Sequence, residues 1–339
     1  MAARRPAGGR SGASRSGGGR PSSGQPKGAA GRGRRTGGAP SGAPRSRGAG
    51  RTGAVKPSSS SDRGDRRGSG DKRGRATALG SSRDKKSDER DDLGGTQIEG
   101  RQAVRELLIA GKRRVHEVWV ASERDTSEVV EDIVQLARAN RVPVVEVSRK
   151  KLDYAARSEA PQGVLARADA LMPVNFDVLV KRRPGRAPFL VAVDGVTDPG
   201  NLGAILRCCD GAGVDGVVLP RHRSVHVTPT TAKASVGACE HVPMALVGGL
   251  PTALAKMREL GIWVVGLDDA SDKSLFDLGD LATEGICLVL GAEGAGLSRL
   301  VRERCDLIVS IPMRGRLSSL NVSTAAALAT YEVARYRRS

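Results

Sequence analysis

Four short stretches in the second half of the chain are built on continuous apolar runs: F-L-V-A-V-D at 189–194, G-V-V-L-P at 216–220, I-C-L-V-L-G at 286–291 and L-I-V-S-I-P at 307–312. A strand with one wet face alternates apolar and polar residues. A strand apolar throughout has to be covered on both faces. V-P-M-A-L-V at 242–247 and I-W-V-V-G-L at 262–267 add two strands of similar character. Helical stretches separate them: 199–213, around 230–238, 250–260, near 298–304, and an alanine-rich helix after Asn321. This alternation predicts an α/β fold with a mostly parallel sheet between helices. In such sheets ligands sit beyond the carboxyl ends of the strands.

A smaller α/β unit is predicted before it. Ordered structure is expected to begin near Thr96. The stretch I-E-G-R-Q-A-V-R-E-L-L-I-A-G carries Val104, Leu107 and Leu108 at helical spacing and stops at Gly111. V-H-E-V-W-V-A at 115–121 alternates as a strand, 127–140 reads as a helix, and 142–147 as a strand. A short helix at 150–157 and a strand at 163–168 complete the unit. K-R-R-P-G-R-A-P at 181–188 then breaks the pattern. The predicted organisation is a basic tail at 1–94, a small α/β unit at 95–170, a linker at 171–187 and the larger unit at 188–339.

Charge divides the chain at the same place. Residues 1–94 hold 23 Lys and Arg against 8 Asp and Glu, a net of +15, and residues 95–339 hold 32 against 29, a net of +3. The tail also has 22 of the 44 glycines and none of the aromatic residues. Such a segment buries too little surface to offset its ordering entropy and is expected to be disordered. Its arginine runs suit a polyanion held through phosphate charge. No run of about 18 apolar residues suggests a membrane span, and M-A-A-R-R-P-A-G-G-R lacks the apolar core of a secretory signal. Five scattered cysteines without a C-x-x-C, and four histidines without a ligand cluster, argue for reduced thiols in the cytoplasm and no metal site.

Three strand ends carry unusual chemistry. In D-P-G-N-L-G-A-I-L-R, Asp198 is placed to cap a helix with Pro199 in its first turn, and Asn201 and Arg207 follow on that helix. In L-G-A-E-G-A-G, Gly291, Gly294 and Gly296 allow a sharp turn and a close backbone approach. The spacing is not that of a dinucleotide loop, and Glu293 would repel a phosphate, so a neutral or cationic ligand fits better. In I-P-M-R-G-R-L-S-S-L-N-V-S, four polar residues (Ser318, Ser319, Asn321, Ser323) crowd one helix start, where capping needs one.

Each loop alone is ambiguous. In this order and spacing they resemble the three motifs of the SpoU branch of the SPOUT RNA methyltransferases: N-x-G-x-x-x-R at 201–207, G-x-E-G-x-G at 291–296 and I-P-M-x-G-x-x-x-S-L-N-V-S at 311–323. The small unit resembles the RNA-binding substrate domain that many members carry. The resemblance implies methyl transfer from S-adenosylmethionine to a ribose 2′-hydroxyl of RNA, without a metal, by a homodimer whose C-terminal segment forms a deep trefoil knot. General topology rules would instead predict an ordinary open sheet. By matched position, Gly291, Ile311 and Leu320 are expected at the cofactor. Arg207, Asn201, Glu293, Ser319 and Asn321 are expected in the catalytic set. The likeness is greatest to the branch that modifies a guanosine in large-subunit ribosomal RNA. The alternatives are a tRNA 2′-O-methyltransferase, a non-catalytic RNA-binding or ribosome-assembly protein on the same fold, and a doubly wound nucleotide enzyme. The last is disfavoured by the missing dinucleotide motif.

Overall fold

The computed structural model describes residues 91–123, 127–222 and 224–337. Residues 1–90, on which most of the expected basic tail falls, lie outside the described residues. Leu93 is already buried, at 1% exposure, so the folded chain begins slightly before Thr96.

The first sheet is built from β1 (Gln97–Glu99), β2 (Val115–Ala121), β3 (Val144–Val147) and β4 (Val164–Ala168), in the order β1-β4-β2-β3. β4 is antiparallel to both neighbours, and β2 runs parallel to β3. α1 (Arg101–Ala110), α2 (Glu128–Ala139) and α3 (Arg149–Ala155) complete this unit. β1 corrects the sequence reading, which ran Ile98 and Glu99 into the first helix. Three residues are too few to show alternation, and a buried carboxylate disguises the strand. Glu99 is fully buried and is satisfied by Gln97 Nε2 at 2.7 Å, Arg157 N at 2.7 Å, and Ser158 N and Oγ at 3.0 and 2.5 Å. Gly100 turns the chain into α1 at φ 95°, where an L side chain would be strained.

A short helix, α4 (Phe176–Leu179), leads to the larger sheet. Its strands are β5 (Phe189–Val193), β6 (Gly216–Pro220), β7 (Met244–Val247), β8 (Trp263–Leu267), β9 (Ile286–Leu290) and β10 (Leu307–Val309). All run parallel in the order β10-β8-β9-β5-β6-β7. Both faces are covered, as the uninterrupted apolar runs require. Phe189, Val191 and Val193 of β5 enter one buried cluster with the side chains of α5 (Pro199–Ala212) and α9 (Val322–Tyr336). Leu190 and Ala192 enter another with α7 (Leu250–Glu259) and α8 (Arg299–Arg302).

The first of these clusters also contains Ile98, Val104 and Leu107, so the apolar core is continuous between the two sheets. α6 (Pro229–Ala234) packs between them. The helix expected around 230–238 stops early because Val236 and Gly237 turn to φ 55° and 86°. A Cβ on Gly237 would stand 2.4 Å from Glu106 Cβ, so α1 approaches backbone that only glycine leaves clear.

Candidate active site

The sheet changes direction between β5 and β9, since the chain builds outward from β5 through β7 and then returns beyond β9. The loops after β8, β9 and β10 meet at the carboxyl edge beside that point. They enclose a cleft of about 660 Å³, within the range of small-molecule sites. Its walls include Leu267, Leu290, Leu297, Val309, Ile311 and Leu320, with Asp268, Asp269, Glu293, Ser319 and Asn321 adding polar groups.

The loop after β9 is a tight hairpin. Ala292 and Gly296 exchange backbone hydrogen bonds of 2.9 Å in both directions, with Gly294 and Gly296 at φ 74° and 66°. Gly291 faces this hairpin. A Cβ there would lie 2.3 Å from the Gly296 carbonyl carbon and 2.6 Å from Leu297 N. The hairpin therefore presents Glu293 while its base stays bare backbone. Asp194, at the end of β5, accepts from Ser298 N at 2.7 Å and donates its own N–H to Leu290 O at 2.8 Å, tying adjacent strand ends together.

The N-terminus of α5 forms as its sequence predicts. Asp198 caps it, accepting from Asn201 N at 2.6 Å. Asn201 then bridges two loops: its Nδ2 donates to Glu293 Oε2 at 3.1 Å, and its Oδ1 accepts from Asn321 Nδ2 at 3.0 Å. Asn321 is the cap of α9, accepting from Ser323 N at 2.8 Å and Ser323 Oγ at 2.6 Å. One line of hydrogen bonds thus runs from the start of α9 through the start of α5 to the glycine hairpin. Its ends fix the amide orientations, since each oxygen faces donors and each NH₂ faces an oxygen.

Gly291, Ile311, Leu320, Glu293, Ser319 and Asn321 all line the cleft, and Asn201 is bonded to two of them. Arg207 stands apart. It is exposed, its side chain makes no hydrogen bond or ion pair among the described residues, and it is not part of the cleft wall. Six residues carry it about 9 Å along α5 and onto a different face from Asn201. The motif reading missed Asp268 and Asp269, although their place at the end of β8 could have flagged them. Asp268 accepts from Ala270 N at 3.0 Å and pairs with Arg302. Asp269 is exposed at the rim.

This cleft invites comparison with known proteins. Residues 188–331 match the SpoU rRNA methylase family, and residues 97–174 match the RNA 2′-O-ribose methyltransferase substrate-binding family. A 23S rRNA (guanosine-2′-O-)-methyltransferase, RlmB, of Shewanella oneidensis is 40% identical over 245 residues, 71% of this chain and 98% of that one. The chain belongs to the SpoU family. It is an RNA 2′-O-ribose methyltransferase. Other SpoU relatives bear this out. YacO of Bacillus subtilis, assigned to the TrmH family of tRNA/rRNA methyltransferases, is 39% identical over 70% of this chain and 94% of its own. The crystal structure of the SpoU methyltransferase AviRb from Streptomyces viridochromogenes, in complex with AdoMet, superposes with a TM-score of 0.59 at 28% identity. That match covers 71% of this chain and 89% of AviRb.

Proposed function

We propose that this SpoU protein methylates the ribose 2′-hydroxyl of a guanosine in large-subunit ribosomal RNA, with S-adenosylmethionine as donor. The observation that carries the reading is the line Asn321–Asn201–Glu293 at the edge of a glycine-walled cleft. The residues present suit the cofactor. Apolar walls can take an adenine, bare backbone at Gly291 admits close contact, and Glu293 and Asp269 favour a cationic ligand. When bound, S-adenosylmethionine supplies an activated methyl group with its own leaving group.

The chain's residues then have to position the ribose and manage one proton. Gly291, Ile311 and Leu320 hold the cofactor side. Asn201, Ser319 and Asn321 hold the nucleoside, with Glu293 orienting Asn201. Arg207 is not the base, because a guanidinium is not deprotonated in a protein. It grips an RNA phosphate and so fixes where the ribose meets the cleft, and its side chain, without an intramolecular partner among the described residues, is available for that role. Positioning of this kind can lower a barrier by about 7–11 kcal/mol.

The same reading assigns residues 95–170 to RNA binding, 171–187 to a connector and 188–339 to catalysis. It takes the enzyme to be a cytoplasmic homodimer in which a second copy covers Leu328 and Tyr331, exposed on α9 at 38% and 46%. The deep trefoil knot rests on the motif resemblance. It is supported by β10 lying outside β8 while α9 returns to pack on α5. No helix among the described residues is long and apolar enough to cross a membrane.

The test is incubation of the protein with labelled S-adenosylmethionine and separate rRNA and tRNA pools. Label in a single guanosine of large-subunit RNA is expected. Label confined to tRNA would overturn the rRNA assignment, and absence from both pools would overturn the activity.

A further inference from the structure

The outer face of the small sheet combines aromatic and basic side chains in a way that its own packing does not use. Tyr154 on α3 is 92% exposed, the most exposed of the large apolar and aromatic side chains described. α3 itself is firmly seated: Leu152 is fully buried in a small cluster with Ala121, Val147 and Leu165. Tyr154 is therefore held out on a fixed helix instead of hanging from a loose one.

Cations precede and follow it along the chain. Lys150 and Lys151 precede it by one helical turn, and Arg157 follows by three residues, all exposed. Trp119 on β2 is within cation–π reach of two cations, with Lys151 Nζ 5.1 Å and the Arg167 guanidinium 4.6 Å from its ring. The carboxylates on this side are largely committed. Asp153 pairs with Arg149 at 3.2 Å, Glu117 with Arg167 at 2.9 Å, and Glu99 is buried with both oxygens accepting internal hydrogen bonds. Glu146 sits on β3 between Val145 and Val147, which pack into the cluster under α3, so it belongs to the opposite face. The side chains of Lys150 and Arg157 have no carboxylate partner among the described residues. Glu159 follows in the loop that turns toward α6, where its carbonyl accepts from Lys233.

Lone cations beside an exposed ring suit a flexible polyanion that carries flat bases. The cations take phosphates and the ring takes an unpaired base. We propose that Tyr154, flanked by Lys150, Lys151 and Arg157, is a stacking platform for an unpaired base of the substrate RNA. This rests on the reading of the protein as an RNA methyltransferase and specifies where single-stranded RNA is gripped outside the cleft. The surface also connects physically to the catalytic unit. The loop after Arg157 is held by Lys233 of α6, and α6 packs on α5 at Gly203, where a Cβ would stand 2.6 Å from Ala234 Cβ.

The experiment uses the full chain and a single-stranded RNA oligonucleotide containing 2-aminopurine, with a blunt duplex of the same sequence as control. Tyr154→Phe should keep the fluorescence quench and the affinity. Tyr154→Ala should lose the quench and weaken single-strand binding about tenfold, leave duplex binding unchanged and leave S-adenosylmethionine affinity unchanged. Lys150→Ala should weaken both RNAs and lower the salt slope by about one. Tyr154→Ala binding and quenching as the parent, or Tyr154→Phe failing like the alanine variant, would overturn the platform. If no RNA is methylated but Tyr154→Ala still loses the quench, the platform stands and the catalytic reading falls. If methylation occurs with KM and affinity unmoved by Tyr154→Ala, the platform falls alone.

Discussion

Asn321 does two jobs with one amide. Its oxygen caps α9, and its NH₂ reaches Asn201, so the residue that starts a helix also orders the active site. The crowding of polar residues at 318–323 is explained by this division: Asn321 caps with Ser323 bonded to it, while Ser318 and Ser319 are left to face the cleft. Glu293→Gln keeps the shape but removes the charge. We predict a lower kcat and weaker S-adenosylmethionine binding, and unchanged turnover together with unchanged affinity would reduce Glu293 to a structural part. Arg207→Ala should cut kcat by about 10²–10³-fold, with Arg207→Lys in between because an ammonium cannot make the bidentate contact. A lysine variant of near-full activity would refute the planar-grip account. Gly291→Ala should abolish cofactor binding, since its Cβ would collide with the Gly296 carbonyl group. Equilibrium dialysis with labelled cofactor reads this directly.

At the scale of elements, most of the regular structure was legible because its causes are local. Asp198-Pro199 announces the start of α5, and Gly213 ends it at φ 72°. β2 and β6 fall on the predicted residues because their periodicity or apolarity is unbroken. The failures have long-range causes. β1 exists because β4 pairs with it, and α6 ends early because α1 presses on Gly237. The two sheets are joined by an ion pair no local pattern signals. Arg113 donates to Glu240 at 2.5 and 3.1 Å and to the carbonyls of Gly95 and Asp169 at 2.5 Å, with the side chains of Arg113 and Glu240 only 6% and 1% exposed. Removing one partner strands the other's charge. Arg113→Ala is expected to destabilise the fold by about 3–5 kcal/mol, measured by denaturant unfolding, whereas a loss under 1 kcal/mol would show the pair to be dispensable.

For the whole molecule, charge is the property most unevenly distributed, with the first 94 residues carrying +15 of the total +18. The tail should raise RNA affinity without choosing the site. Because Leu93 is buried, truncation should stop at residue 90. Removing residues 1–90 is expected to weaken RNA binding and flatten its dependence on salt, and an unchanged slope would refute the role. The sequence by itself determined the α/β class, the places of most strands and helices, and the residues that carry the family motifs. These depend on periodicity, capping and composition, which act over a few residues. Only the tertiary structure decided the strand order, which brings the ends of β8, β9 and β10 to one cleft. It alone joined Asn201 to Glu293 and Asn321, which lie 92 and 120 residues beyond it along the chain, while leaving Arg207 outside. Contacts between distant residues are set by how helices and sheet bury their apolar faces together, and no short stretch of sequence contains that information.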